Sequence, residues 1–212
     1  MLKTDVTLQL NGDAHAEAWQ VYERSMGGMA SGAVQAHLLF YAEFADICMN
    51  ISIEKWRILD PDNGGRCVGL AVFTNHLDAW PYISRTYFET RWPHAYAEQC
   101  IWCCGFVVTA PRAPQGTFVQ LITAMYDQVA DHGGIIGLDF ADANTKLARI
   151  VDVVLARAAR SRDSDGSSAV GYRSQRTDGQ RYWTYETAAP KRVVVGVTMT
   201  AGRAGVGGFD VK

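Results

Sequence analysis

The chain has 212 residues, 48% of them hydrophobic and 20% charged, with a formal net charge of −2. That balance excludes a disordered polymer, and the length suits one large domain that buries its core without staples. No run approaches the roughly 18 uncharged apolar residues of a membrane span. The first residues lack an apolar signal core, so a cytoplasmic protein with no membrane partner is expected.

In chain order, residues 6–10 alternate apolar and polar side chains and predict a short strand. Asn11, Gly12 and Asp13 break it, and Asp13 is placed to cap a helix over residues 14–25. Gly27 and Gly28 stop that helix. A second helix is expected over residues 33–49, with Leu38, Leu39, Ala42, Ala45 and Met49 as its buried stripe. Residues 55–59 alternate again, residues 60–65 are a strong turn, and residues 67–74 read as a more buried strand, which together predict an antiparallel hairpin.

Residues 78–99 crowd Trp80, Tyr82, Tyr87, Phe88, Trp92 and Tyr96 around a short helix over 85–91 that Pro93 closes. Such rings serve burial first. Trp80, Trp92 and Trp102 are also the candidates for a substrate-pocket wall.

The strongest strand signal is the apolar run 101–108. A loop over 109–116 follows, then a helix of about 15 residues from Thr117 with Phe118, Leu121, Ile122, Met125 and Val129 on one face. His132, Gly133 and Gly134 end it. Residues 135–138 predict a short buried strand with Asp139 at its carboxyl end. A last helix starts at Asp142 or Asn144 and runs to about Arg160, with Leu147, Ile150, Val151, Val154 and Leu155 inside. This succession is a βαβ unit and makes two strands parallel. Residues 160–171 read as a surface loop, residues 180–187 as a final strand, and Val193, Val194 and Val195 as an edge strand before a loose end.

The chemistry concentrates where the strand at 101–108 empties into a loop that opens a helix. The first amides of a helix lack internal acceptors and carry partial positive charge, so the geometry suits an anion. Gly116 permits close backbone approach, Thr117 offers a hydroxyl, and Arg112 offers a permanent charge. An ordinary strand–helix turn has the same spacing. Asp139 is placed either to accept a proton or to cap the next helix. Tyr182 and Tyr185 are possible acids or packing residues.

Five cysteines, three of them in one apolar run, point to reduced thiols rather than a disulfide framework. Cys100 and Cys103 have half a zinc spacing, but no second pair exists, and His76 and His94 would need folding to bring them near. No metal is expected.

The order of elements over roughly residues 5–187, and most closely 100–155, resembles the GNAT (N-acetyltransferase-like) superfamily. There a central strand leads to a pyrophosphate loop, Gln/Arg-x-x-Gly-x-Gly/Ala, whose amides hold the diphosphate of acetyl-coenzyme A. Residues 103–108 resemble that strand. Arg112, Ala113, Pro114, Gln115, Gly116 and Thr117 resemble the loop, and Asn144 a frequent asparagine at the start of the last helix. The segment 75–84, then Tyr87, Phe88, Arg91, Trp92 and Pro93, is similar to a subgroup of bacterial GNAT-like proteins, as are Gln180, Arg181, Tyr182 and Trp183. The loop is degenerate: Gln115 and Thr117 stand where small residues are usual, the glycine falls one position later, and Pro114 has no amide hydrogen. Val151 stands where a tyrosine often protonates the leaving thiolate, and the central strand carries no carboxylate.

The resemblance implies an α/β (α+β) fold: a mixed, largely antiparallel central sheet flanked by helices, with a parallel βαβ core. One domain over residues 1–190 and a carboxy-terminal tail over 191–212 are expected. It implies acetyl-coenzyme A or another acyl-coenzyme A as co-substrate, held by Val107, Val108, Arg112, Gln115, Gly116, Thr117, Phe118 and Asn144. The amides of Val107 and Val108 would polarise the thioester, Asp139 or a water would act as base, and Tyr182 as acid, on a small-molecule acceptor. A GNAT-like domain that binds another ligand is the alternative, and a homodimer is left open. Residues 157–212 hold ten Lys/Arg against five Asp/Glu, which suggests a nucleic-acid partner, whereas residues 1–156 hold ten against seventeen and argue against one.

Overall fold

The computed structural model describes residues 1–27, 38–139 and 145–164 and the short strands at 185–186 and 193–194. Two compact units divide the chain, Met1–Tyr172 and Arg173–Lys212. In the second, β6 (Tyr185–Glu186) and β7 (Val193–Val194) pair antiparallel, with Tyr185 opposite Val194.

The first unit is built on a five-stranded sheet in the order β1 (Lys3–Thr7), β2 (Glu54–Asp60), β3 (Arg66–Thr74), β4 (Ile101–Thr109) and β5 (Ile135–Gly137). The first three pairings are antiparallel and β4–β5 is parallel. The fold is therefore mixed α/β with a largely antiparallel sheet, as the resemblance implied, and one parallel βαβ unit, as the sequence pattern predicted.

Alternation along the strands sends side chains to two faces. One face carries α1 (Gly12–Met26) and α2 (Tyr41–Met49), whose Ala18, Tyr22, Phe44 and Ile47 pack on Leu70, Val72, Phe106 and Val108. The other carries α5 (Thr117–Asp131), whose Leu121, Met125 and Val129 pack on Ile58, Ala71, Phe73 and Trp102. Gly69 on β3 lets α5 lie close, since a Cβ there would stand 2.7 Å from Thr117 Cγ2 and 3.0 Å from Leu121 Cδ1. Outside α5, α6 (Thr145–Ser164) seats Val151 and Val154 against Ile122.

Several boundaries differ from expectation. The first strand is Lys3–Thr7, not 6–10, because pairing to β2 decides it, and the Leu10 amide bonds to the Cys48 carbonyl outside the sheet. The first helix starts at Gly12 with Asn11 as its cap residue, and Asp13 lies within the first turn. The second helix is described from Tyr41, where Glu43 accepts the Phe40 amide. Pro93 does more than close α3 (Arg85–Arg91), for it opens a further short helix, α4 (Pro93–Ala97). The strand at Ile135 is half-buried rather than buried, and Ile150 on α6 is 51% exposed.

Candidate functional site

The site forms where two neighbouring strands part. Pairing between β4 and β5 covers Ile101 with Ile135, Trp102 with Ile136 and Cys103 with Gly137, and stops there. β4 continues through Thr109. Along Cys104 to Thr109 no strand pairs with that edge among the described residues, so a gap opens toward the loop at the carboxyl end of β4.

A bulge decides which backbone groups face the gap. Phe73 lies opposite Cys104 and Val72 opposite Phe106, so Gly105 has no partner residue. Before the bulge, the Cys100 carbonyl accepts from Ile135, which turns Cys100 and Trp102 toward β5. After it, the Ala110 amide donates to Val68, which turns Ala110 and, by alternation, Val108 toward β3. The N–H and C=O of Val107 therefore point into the gap. Val108, expected to contribute its amide as well, faces the sheet instead. The Thr109 carbonyl, also on the gap side, accepts from the Ser25 hydroxyl at 2.6 Å.

The loop beyond is tightly turned. Pro111 and Arg112 form the corner of a turn closed by the Ala113 amide on the Ala110 carbonyl at 2.9 Å, and Arg112 sits at φ 65°. A left-handed backbone costs a non-glycine residue about 1–2 kcal/mol, so an exposed arginine held there is conspicuous. Gly116, at φ 93°, occupies the position before α5. Thr117 turns inward: its amide and hydroxyl both donate to the Pro114 carbonyl, at 3.2 and 2.7 Å, and its side chain is buried. The expectation that its hydroxyl serves a ligand is therefore corrected. The Gln120 amide reaches the Gly116 carbonyl, while the amides of Phe118 and Val119 have no backbone acceptor among the described residues. These two donors, at the positive end of a 15-residue helix, are what the loop presents to an anion.

Apolar groups pack beside the parted strands. Val107, Phe118 and Leu138 pack with Ile122, Val151 and Val154 on the α5–α6 side. Gln115 and Arg112 are exposed in the loop. Asp139 is exposed two residues past the last paired position of β5, which is the edge strand among the described residues and not a central one. Asn144 and Tyr182 lie outside the described residues.

The three tryptophans do not converge. Trp80 is buried on the α1–α2 face, Trp102 is buried on the α5 face, stacked on Phe73 at 5.1 Å, and Trp92 lies half-buried on Phe88 at 5.9 Å. Alternation on β4 separates Trp102 from the other two, so the expected common pocket wall is absent. The Trp102 Nε1 is buried with no hydrogen-bond partner.

The two cysteines on β4, Cys103 and Cys104, are not set up as nucleophiles. Burial pushes Cys103 up to about 12 and raises Cys104 as well, with Cys103 adding to the effect on Cys104. Nucleophilic thiols need the reverse. No group of three metal-ligating side chains occurs among the described residues.

Sequence reasoning missed Lys55, which is completely buried on β2. Its ammonium donates to the carbonyls of Leu8, Asn50 and Ile53 at 2.9, 2.6 and 2.8 Å. A lysine in an alternating strand reads as solvent-facing, and no local pattern announces that Leu8, from a distant segment, joins Asn50 and Ile53 just before the strand in a set of three carbonyls. Close by, a hollow of about 530 Å³ is lined by Asn50, Ser52, Asn75, His76, Asp78 and Tyr96, among others. It lies at the opposite end of the sheet from the loop. Its polar groups are largely engaged, Asn75 with the Gln99 carbonyl and Asp78 with Arg85.

No protein-family model matches the chain, and no curated protein matches it in sequence. Among solved structures, an acetyltransferase from Trypanosoma brucei is similar over 84% of this chain and 99% of its own, at 16% identity and a TM-score of 0.36. A likeness that loose carries no argument. No helix among the described residues is long and apolar enough to cross a membrane.

Proposed function

We infer that this chain is an acyl-coenzyme A-dependent N-acyltransferase acting on a small amine or a related nucleophile. The observation that carries the reading is the early end of β4–β5 pairing, at Cys103 and Gly137, while β4 runs on to a loop whose helix amides lack acceptors. A pantetheine chain has polar amides and an apolar outline, and a gap with one free strand edge suits it. The diphosphate would sit on the amides of Phe118 and Val119, with Arg112 as counter-charge.

The reaction would proceed by attack of the amine nitrogen on the thioester carbonyl. The N–C bond forms, the C–S bond breaks, and coenzyme A leaves as a thiolate that takes up a proton. The Val107 N–H would bind the carbonyl oxygen as negative charge grows on it. Asp139, directly or through water, would accept the proton that the amine loses. Tyr182 remains the proposed acid, and Asn144 a proposed contact to the cofactor.

Calorimetric titration with acetyl-coenzyme A tests this. Saturable binding is expected, weakened about tenfold by Arg112→Ala, the effect of losing one charge-assisted contact. The absence of heat with acetyl-, propionyl- and longer acyl-coenzyme A would leave only the architecture.

A further inference from the structure

The gap has an open end at the loop and a closed end where β4 and β5 zip together, and beside the closed end aromatic rings lie over two glycines. On β4, a Cβ added to Gly105 would lie 2.4 Å from both Cζ2 and Cη2 of Trp80, so the indole rests directly on the backbone of the bulge. On β5, a Cβ added to Gly137 would lie 3.1 Å from Cys103 Sγ and 3.5 Å from Phe88 Cζ, so a second ring rests on the last paired residues. Ile83 packs against the clusters of both rings, and Trp80 is buried. Trp80 meets Tyr82 edge-on at 5.5 Å, and Phe88 stacks on Trp92 at 5.9 Å.

We propose that Trp80, backed by Phe88, is the stop that limits the acyl group of this site to short chains. This rests on the acyltransferase reading, with the thioester carbonyl at the Val107 amide. From there the acyl chain points away from the loop toward the closed end. Gly105 lies two residues back along β4, roughly 7 Å at the rise of a strand. An acetyl or butyryl group ends within that distance, whereas an octanoyl group meets the indole. Glycine at 105 is what allows the large ring to reach the strand, and the ring in turn occupies the space a longer chain needs.

The test is calorimetry on the full chain with acetyl-, butyryl- and octanoyl-coenzyme A, for the natural sequence, Trp80→Leu and Phe88→Leu. Circular dichroism and thermal melting establish that each variant is folded. The natural chain is expected to bind the acetyl and butyryl esters alike and the octanoyl ester at least about tenfold more weakly, the size of effect a closed apolar pocket exerts. Trp80→Leu is expected to narrow that ratio by about tenfold, and Phe88→Leu by less. Equal binding of all three esters by the natural chain would overturn the stop and leave the acyltransferase reading intact. An unchanged ratio in folded Trp80→Leu would do the same. No binding of any ester by the natural chain would remove that reading and the stop together.

Discussion

The two ends of the sheet treat their polar groups in opposite ways. At the amino-terminal end of β2, the Lys55 ammonium has all three hydrogens on carbonyls, and the Thr74 hydroxyl donates to the Ser52 carbonyl at 2.6 Å. At the carboxyl end of β4, an exposed arginine is held at positive φ, and the helix amides beside it have no backbone acceptor. A closed hydrogen-bond set holds a fold together, whereas open donors beside a parted pair of strands are available to a ligand. The contrast outweighs cavity size: the hollow of about 530 Å³ lies at the closed end.

Lys55→Met breaks the closed end most severely. It keeps the volume but strands three carbonyls, and a loss of roughly 3 kcal/mol is expected from that desolvation, read by urea unfolding. Stability unchanged within about 0.5 kcal/mol would show that those carbonyls find water instead.

Gly105→Ala probes the border between the two ends. Its Cβ would overlap Trp80 and Val72 Cγ2, so a loss of about 1–3 kcal/mol is expected from overpacking. A variant as stable as the natural chain would mean that the indole moves aside easily, and the proposed stop would weaken with it.

Alkaline pH sets buried groups against one another. Burial pushes Lys55 down to about 8, so its unfolded form holds more protons above that pH and the lysine favours folding as pH rises. Burial pushes Cys48 and Cys103 up to about 12 and Cys67 up to about 11, and raises Cys104 as well, so the unfolded thiols ionise first and oppose folding above pH 9. At pH 10 each of these thiols costs about 1.4 kcal/mol, and Lys55 contributes less than 3 kcal/mol against them. The thiols win. Urea unfolding under reducing conditions is expected to give a slight loss of stability from pH 8 to 9 and a fall of about 2–3 kcal/mol by pH 10. A rise to pH 10 would show that the thiols ionise in the fold.

The smallest effect falls on the open end and is the most diagnostic. Arg112→Gly removes left-handed strain at the cost of added freedom in the unfolded chain, so a net gain of about 0.5 kcal/mol is expected. Binding of acetyl-coenzyme A should weaken in the same variant. Stability and affinity falling together would show that Arg112 is structural.

Much of the framework was legible in the sequence because local signals agreed with packing. α3 starts where Ser84 accepts the Tyr87 amide, and α5 starts where Gly116 adopts φ 93°. The hairpin of β2 and β3 follows from alternation around the turn at Gly64 and Gly65. What escaped notice was long-range. The bulge at Gly105 depends on opposite burial of Trp102 and Phe106, which a continuous apolar run conceals. The separation of Trp80 from Trp102 depends on the same parity. The inward turn of Thr117 depends on Gly69 across the interface, and the Leu8 carbonyl that completes the set around Lys55 comes from a segment that only the fold brings near.

The central claim is that the Val107 amide in the gap and the amides of Phe118 and Val119 bind one ligand. Two-dimensional ¹⁵N–¹H spectra of the full chain, recorded with and without acetyl-coenzyme A, test it directly. The account predicts large, saturable shifts at Val107, Phe118 and Val119 and little change at Val108, whose N–H is held by β3. Unmoved signals at those three residues, or shifts confined to the neighbourhood of His76 and Tyr96, would contradict it.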